Sequence, residues 1–272
     1  MIDIHNHILV DIDDGPKTIE KSIALLKQAK DEGVTSIVAT PHHLHPRYDN
    51  TFQQVLVKLA ELRTHPEVQA LDIKLFPGQE IRITDSILKG LDNGSIQGIN
   101  RSKYLLIEFP TGEVPHYTKQ LFFEIQSRGY IPIIAHPERN RSIAKNPEIL
   151  YELVANGALS QLTSSSLVGG FGKNIQKLSL QFIECNLAHF VASDAHSCDQ
   201  RPFLMQELFH NHKLKKYSND IEALLRNASS VINDHFVYLD RPTKPGKVKS
   251  FLKWFLLNIF FRIRLVYMYQ SF

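Results

Sequence analysis

Nine candidate metal ligands punctuate this chain, and nearly every one stands at the end of a short apolar run. His5 and His7 follow the opening Ile-Asp-Ile, Asp14 precedes Gly15-Pro16, and His42 comes after Ser36-Ile-Val-Ala-Thr-Pro. Glu80 follows Ile73-Lys-Leu-Phe, Glu108 follows Tyr104-Leu-Leu-Ile, and His136 follows Ile131-Pro-Ile-Ile-Ala. Asp194 and His196 come after Phe190-Val-Ala-Ser. Brief β-rich runs that end in a polar side chain suggest strands delivering ligands to one rim of a barrel. Four such groups would hold one ion, whereas nine suit a cluster.

The segments between these runs carry helical periodicity. Over 18–30 the apolar residues Ile19, Ile23, Leu26 and Ala29 share one helical face, and Gly33 supplies a stop. Further helices are expected at 52–63, 85–91, 117–128, 147–155 and 173–185, and further strands at 37–40, 73–76, 104–107, 131–135, 158–163 and 189–193. Seven β/α units in alternation predict a parallel sheet. Closure is favoured because six of the seven strands end in a ligand, and an open sheet gathers its site at one switch point. No glycine-rich phosphate loop is present; Gly169-Gly170-Phe171-Gly172 reads as a plain turn.

A chain of 272 residues with 43% hydrophobic and 22% charged residues can fill a full core, which excludes global disorder. Cys185 and Cys198 fit no thiolate zinc spacing and read as reduced thiols of a cytoplasmic protein. Met1 leads straight into a ligand-bearing strand, so no signal peptide is expected. Charge is unevenly spread. Residues 241–272 hold Arg241, Lys244, Lys247, Lys249, Lys253, Arg262 and Arg264 and no acid, so against a whole-chain charge of +3 the first 240 residues carry −4. An acidic body argues against nucleic acid as a partner. The chain therefore divides into a ligand-bearing body over 1–240 and a basic, aromatic extension over 241–272. The extension's longest uncharged run, Trp254 to Phe261, is far shorter than the roughly 20 residues needed to span a bilayer. Its composition suits peripheral contact with an anionic leaflet or with a partner.

His5-x-His7 on a strand places both imidazoles on one face. Five imidazoles and four carboxylates without a thiolate favour Mn²⁺, Zn²⁺ or Fe over a structural zinc site. Buried carboxylates at this density repel one another without cations. Neither cysteine is followed by an arginine six residues on, so a Cys-x5-Arg phosphatase loop is excluded.

The motifs His5-x-His7, Asp13-Asp14-Gly15, Thr40-Pro-His42-His43, Gly78-Gln-Glu80, Glu108-Phe-Pro110, Ala135-His-Pro-Glu-Arg139 and Ser193-Asp-Ala-His196 resemble those of the PHP (polymerase and histidinol phosphatase) metallo-phosphoesterases. Within that superfamily the chain is similar to the bacterial protein-tyrosine phosphatases of capsule and exopolysaccharide operons. The resemblance implies a distorted (β/α)7 barrel of the TIM type with a three-metal site, usually of Mn²⁺. It implies a first metal on His5, His7, Glu80 and Asp194, a second on Glu80, Glu108 and His136, and a third on Asp14, His42 and His196. The implied reaction is attack on phosphotyrosine by a metal-bound hydroxide, on a membrane-associated bacterial tyrosine kinase as protein partner. Arg139 is the best-placed phosphate fork, Arg201 the second, and His43 the one candidate acid. Rival readings are a small-molecule phosphatase of the histidinol-phosphate type, a phosphodiesterase, and a non-catalytic scaffold. Oligomeric state is left open.

Overall fold

The computed structural model describes residues 1–238 and 240–246. Nine strand segments form: β1 (Ile2–Asn6), β2 (Ser36–Ala39), β3 (His42–His43), β4 (Lys74–Pro77), β5 (Glu80–Arg82), β6 (Tyr104–Glu108), β7 (Ile131–Ala135), β8 (Leu159–Thr163) and β9 (Phe190–Ala192). They make two parallel sheets, one in the order β1-β2-β4 and one in the order β3-β5-β6-β7-β8-β9. Only Thr40-Pro41 separates β2 from β3, and only Gly78-Gln79 separates β4 from β5. Each pair is thus one extended path that leaves the first sheet and enters the second. A Cβ on Gly78 would lie 2.7 Å from Val38 Cγ1 and 3.0 Å from Thr40 Cγ2, so glycine permits the two bends to pack together. At the other edge β1 meets β9: His7 N donates to Ala195 O at 2.8 Å and Asp194 N to His5 O at 2.8 Å.

Parallel strands covered on both faces read as near-continuous apolar runs. Here alternate residues divide between two cores. Ile4, Val38, Leu106, Ile133, Leu159 and Phe190 pack together on one side, while Ile37, Leu105, Ile107, Ile134, Leu162 and Val191 pack with the helices on the other.

Helices occupy Ile19–Asp31, Phe52–Arg63, Ile87–Asn93, Thr118–Ser127, Glu148–Ala155 and Lys173–Glu184, close to the predicted spans. Thr51 and Gln54 form a capping box at the start of Phe52–Arg63. Shorter helices at Pro66–Ala70, Arg141–Lys145, Ser164–Val168 and Glu207–His210 were not predicted. Neither was the helix Ser218–Ile232, whose Ala228 and Val231 cap the inner core against Ile4 and Phe190. The chain then runs over the body: Tyr104 Oη donates to His235 O at 2.7 Å, Thr243 N to Cys185 O at 2.9 Å, and Lys244 pairs with Glu148 at 2.6 Å. Among the described residues no helix is long and apolar enough to cross a membrane. The aromatic run at 254–261 lies outside the described residues.

Candidate metal centre

All nine predicted ligands come to one end of the two sheets. β1 and the residue after it bring His5 and His7, β3 and β5 open with His42 and Glu80, and β6 ends at Glu108. His136 and Asp194 take left-handed backbone, with φ of 32° and 53°. Non-glycine residues adopt that region rarely and at a cost, and such positions concentrate at functional sites.

The side chains form three overlapping sets: His5, His7, Glu80 and Asp194; His7, Asp14, His42 and His196; and His42, Glu80 and Glu108. In each set one ligand atom per residue lies within 4.8 Å of the others. Glu80 Oε2 stands 3.4 Å from His5 Nε2, 3.3 Å from His7 Nε2 and 2.9 Å from His42 Nδ1. Asp194 Oδ1 is 3.3 Å from His5 Nε2 and 3.4 Å from His7 Nε2. Asp14 Oδ1 is 3.2 Å from His196 Nε2 and 3.5 Å from His42 Nε2. The first set has the membership that the resemblance implied. The other two differ from it: His7 joins Asp14, His42 and His196, and His42 rather than His136 groups with Glu108. His136 Nε2 is hydrogen-bonded directly to Glu80 Oε1 at 2.8 Å.

The buried atoms that face one another here are orphans. His5 Nε2, His7 Nε2, His42 Nδ1, His196 Nε2, Glu80 Oε2, Glu108 Oε2 and Asp194 Oδ1 all lack a hydrogen-bond partner. An unsatisfied buried polar atom costs about 1–3 kcal/mol, more when charged, so a convergence of seven needs an explanation. Divalent cations supply one, and imidazole with carboxylate is a donor set they accept. The opposite ring nitrogens are already engaged. His5 Nδ1 meets Gln161 Oε1 at 2.7 Å, His7 Nδ1 meets Asp13 Oδ2 at 2.6 Å, and His196 Nδ1 meets Asp194 O at 2.9 Å. Partners of this kind fix ring orientation and direct Nε2 at the ion.

Asp13 also accepts from Gly15 N at 2.9 Å and from His42 N at 3.2 Å, so one carboxylate ties the turn to two ligands. A Cβ on Gly15 would fall 2.1 Å from His7 O, which makes glycine obligatory in that turn. Across the β1–β9 seam, Asp3 accepts from Ser193 N at 2.9 Å and Ser193 Oγ at 2.6 Å, next to Asp194.

Charge follows this geometry. Burial pushes Glu80 up, but His5, His42 and His136 outweigh it and hold the carboxyl well below its ordinary range. Burial likewise opposes Asp194, and Arg201, His5 and Arg139 override it. Glu108 goes the other way, to about 7, through burial and the adjacent Glu80 charge. Burial lowers His136 and His196 to about 4, assisted by Arg139 and by His7 respectively. Both imidazoles are therefore neutral at pH 7, the form that ligates.

Arg139 and Arg201 both stand at the mouth, each donating to Asp194 Oδ2. Arg139 does not pair with its neighbour Glu138, which instead accepts from Thr163 N at 3.0 Å. His43 differs from the expectation. Adjacent residues of a strand project to opposite faces, so with His42 in the cluster the His43 ring turns away, its Nδ1 2.9 Å from Asp49 Oδ1. It belongs to none of the three ligand sets. Arg82 was missed, although the period-two rule places it on the same face as Glu80; its Nη2 lies 2.9 Å from Glu108 Oε2. Gln161 was also missed, a fully buried polar residue of β8.

Residues 1–233 match the family described as capsular polysaccharide synthesis, CpsB/CapC. The chain is 56% identical over 255 residues to CapC of Staphylococcus aureus, covering 94% of this chain and 99% of that one. It is 40% identical over 255 residues to the tyrosine-protein phosphatase YwqE of Bacillus subtilis, covering 94% and 100%. One chain from the crystal structures of Bacillus subtilis YwqE and Streptococcus pneumoniae CpsB, reported as unique metal-dependent tyrosine phosphatases, aligns with a TM-score of 0.87 at 41% identity over 91% of this chain and 100% of its own. With the match running from the first ligand strand through the helix Ser218–Ile232, the chain belongs to the CpsB/CapC family of capsular polysaccharide synthesis proteins.

Proposed function

We propose that this chain is a metal-dependent protein-tyrosine phosphatase, with its ligand sets filled by three Mn²⁺ ions. The observation that carries this reading is the convergence of seven buried ligand atoms that form no hydrogen bond, in a chain whose relatives are named tyrosine phosphatases. The two sheets, joined where β1 meets β9, are read as arcs of one distorted (β/α)7 barrel. The eight residues of these sets would hold the ions with Glu80 at their centre, and His136, hydrogen-bonded to Glu80, would be the ninth ligand. Metal ions in such a site lower the pKa of water and neutralise charge on a transferring phosphoryl group.

The chain's own residues do the rest. Asp13 and Gln161 hold His7 and His5 in the orientation that presents Nε2. Arg139 and Arg201 offer planar donor forks at the mouth, suited to equatorial phosphoryl oxygens. A phenolate leaving group, with a pKa of about 10, departs with little protonation. Aryl esters therefore suit a site in which His43 points elsewhere.

The test is hydrolysis of a phosphotyrosine peptide against phosphoserine, histidinol phosphate and bis-p-nitrophenyl phosphate, with Mn²⁺ and with chelator. Mn²⁺-dependent turnover selective for phosphotyrosine and lost in His136→Ala is expected. Preference for histidinol phosphate or the diester would reassign the substrate, and no turnover with any metal would leave a scaffold.

The proposed protein substrate is a membrane-associated bacterial tyrosine kinase, in keeping with the family's place in capsule synthesis. The five basic residues and no acid beyond residue 246 are proposed to hold the enzyme at an anionic bilayer. Full-length protein should sediment with phosphatidylserine vesicles and a chain ending at Gly246 should not. Equal sedimentation removes the membrane role.

A further inference from the structure

A trough of about 650 Å³ opens off the metal centre. Asp14, His196 and Arg201 line its inner end, and Lys17, Lys21 and Gln200 line its outer part. The inner residues belong to the site already described. The outer ones lie beyond it, Lys17 just before the helix Ile19–Asp31, Lys21 in its first turn and Gln200 on the loop after β9. A volume of this size falls in the range of about 300–1,000 Å³ typical of ligand sites, and a phosphoryl group at the metals fills only one end.

The charges in the outer part are specific. Lys17 precedes the helix and Lys21 stands in its first turn, and both line the trough. Lys17 is occupied: its Nζ donates to Asp13 O and lies 3.7 Å from Asp11 Oδ1. Lys21 is exposed and has no ion pair or side-chain hydrogen bond among the described residues. Two carboxylates line the trough, Asp14 and Asp199. Asp14 is turned to His196 and His42, which leaves Asp199 as the one acid facing two lysines and Arg201.

We propose that this trough is a second anion subsite, which receives an acidic side chain flanking the scissile phosphotyrosine in the substrate peptide. The inference rests on the phosphatase reading and extends it to sequence preference. The anion is a carboxylate or a second phosphoryl group, since either satisfies an ammonium at a wet rim. The trough's continuity with Asp14 and His196 puts Lys21 within the same cavity as the proposed phosphoryl site, where a residue flanking the phosphotyrosine would reach it.

The experiment uses the full-length enzyme with Mn²⁺ and four substrates: phosphotyrosine peptides flanked by alanine, by glutamate or by a second phosphotyrosine, and p-nitrophenyl phosphate, which has no flank. Lys21 is changed to alanine and to glutamate; Lys17 is left intact because it contacts Asp13. Wild-type kcat/KM should favour the anionic flanks by about two- to fivefold, the scale of a surface ion pair. The preference should sit in KM and shrink at high salt. Lys21→Ala should abolish it and Lys21→Glu should reverse it, with p-nitrophenyl phosphate turnover unchanged in both. The glutamate and phosphotyrosine arms show which anion is favoured. Retained p-nitrophenyl phosphate turnover with equal kcat/KM for all peptides, or a preference that survives Lys21→Glu, overturns the subsite alone. Absence of turnover on every substrate overturns the phosphatase reading and the subsite with it.

Discussion

Asp13 carries more of the site than its place in a turn suggests. Read in sequence it caps Asp13-Asp14-Gly15, and in the structure it does accept from Gly15 N. It also holds His7 through a 2.6 Å bond and His42 through its backbone, while Asp14 beside it faces the cluster. Of two adjacent acids, one thus faces the cluster and the other holds the groups that line it. Removing an orienting partner of this kind typically lowers metal affinity about 10- to 100-fold. Asp13→Ala should do so, read by calorimetric titration of apoprotein with Mn²⁺. Affinity unchanged within twofold would reduce Asp13 to a turn residue. His42 and His43 make the complementary point. Strand alternation lets only one of two neighbours face the cluster, and that rule, available from the sequence, argues against His43 as an acid.

At the level of elements, the apolar runs and their polar ends were legible because strands buried on both faces leave a strong local signal. Helices at 52–63 and 173–185 were legible from periodicity and stop residues, to within a residue of the observed spans. The breaks at Pro41 and Gly78 were not read as bends, so His42 and Glu80 were placed after their strands. In fact each opens a short segment in the second sheet. The helix Ser218–Ile232 was missed although Ile221, Leu224, Leu225, Ala228 and Val231 recur at helical spacing. It follows the last ligand, where the alternating pattern had ended. Contacts between distant elements left no local trace: nothing near Asp3 announces that Ser193 will lie against it. Gln161 is similar, since its role depends on His5 from the far end of the chain.

For the molecule as a whole, pH stability should follow a histidine outside the metal centre. His189 is buried, its Nδ1 accepts from Ser160 N at 3.0 Å, and burial lowers it to about 4 from an ordinary 6.5. A depressed histidine is neutral when folded and takes up its proton when unfolded, so the unfolded state binds more protons between those values. Stability from this group is fully present above about pH 6.5 and declines as pH falls toward about 4, where the slope ends. Between pH 7 and pH 5 the loss should be about 2 kcal/mol. Urea unfolding of metal-loaded wild type and His189→Asn should show a pH dependence smaller by that amount in the variant. Parallel curves would mean that His189 is not the titrating group.

The junction of β1 with β9 bears on when the protein meets its ion. Asp194 and His196 are made long after His5 and His7, and two of the three ligand sets need both ends of that junction. A chain still emerging from the ribosome offers scattered imidazoles and carboxylates, and loose ligands of that kind take whichever divalent ion ranks highest in intrinsic affinity. Only after the last strand docks on the first does a cavity of fixed size and charge exist. The choice of metal is thereby deferred to a finished cage, which can reject ions that the nascent peptide would have accepted.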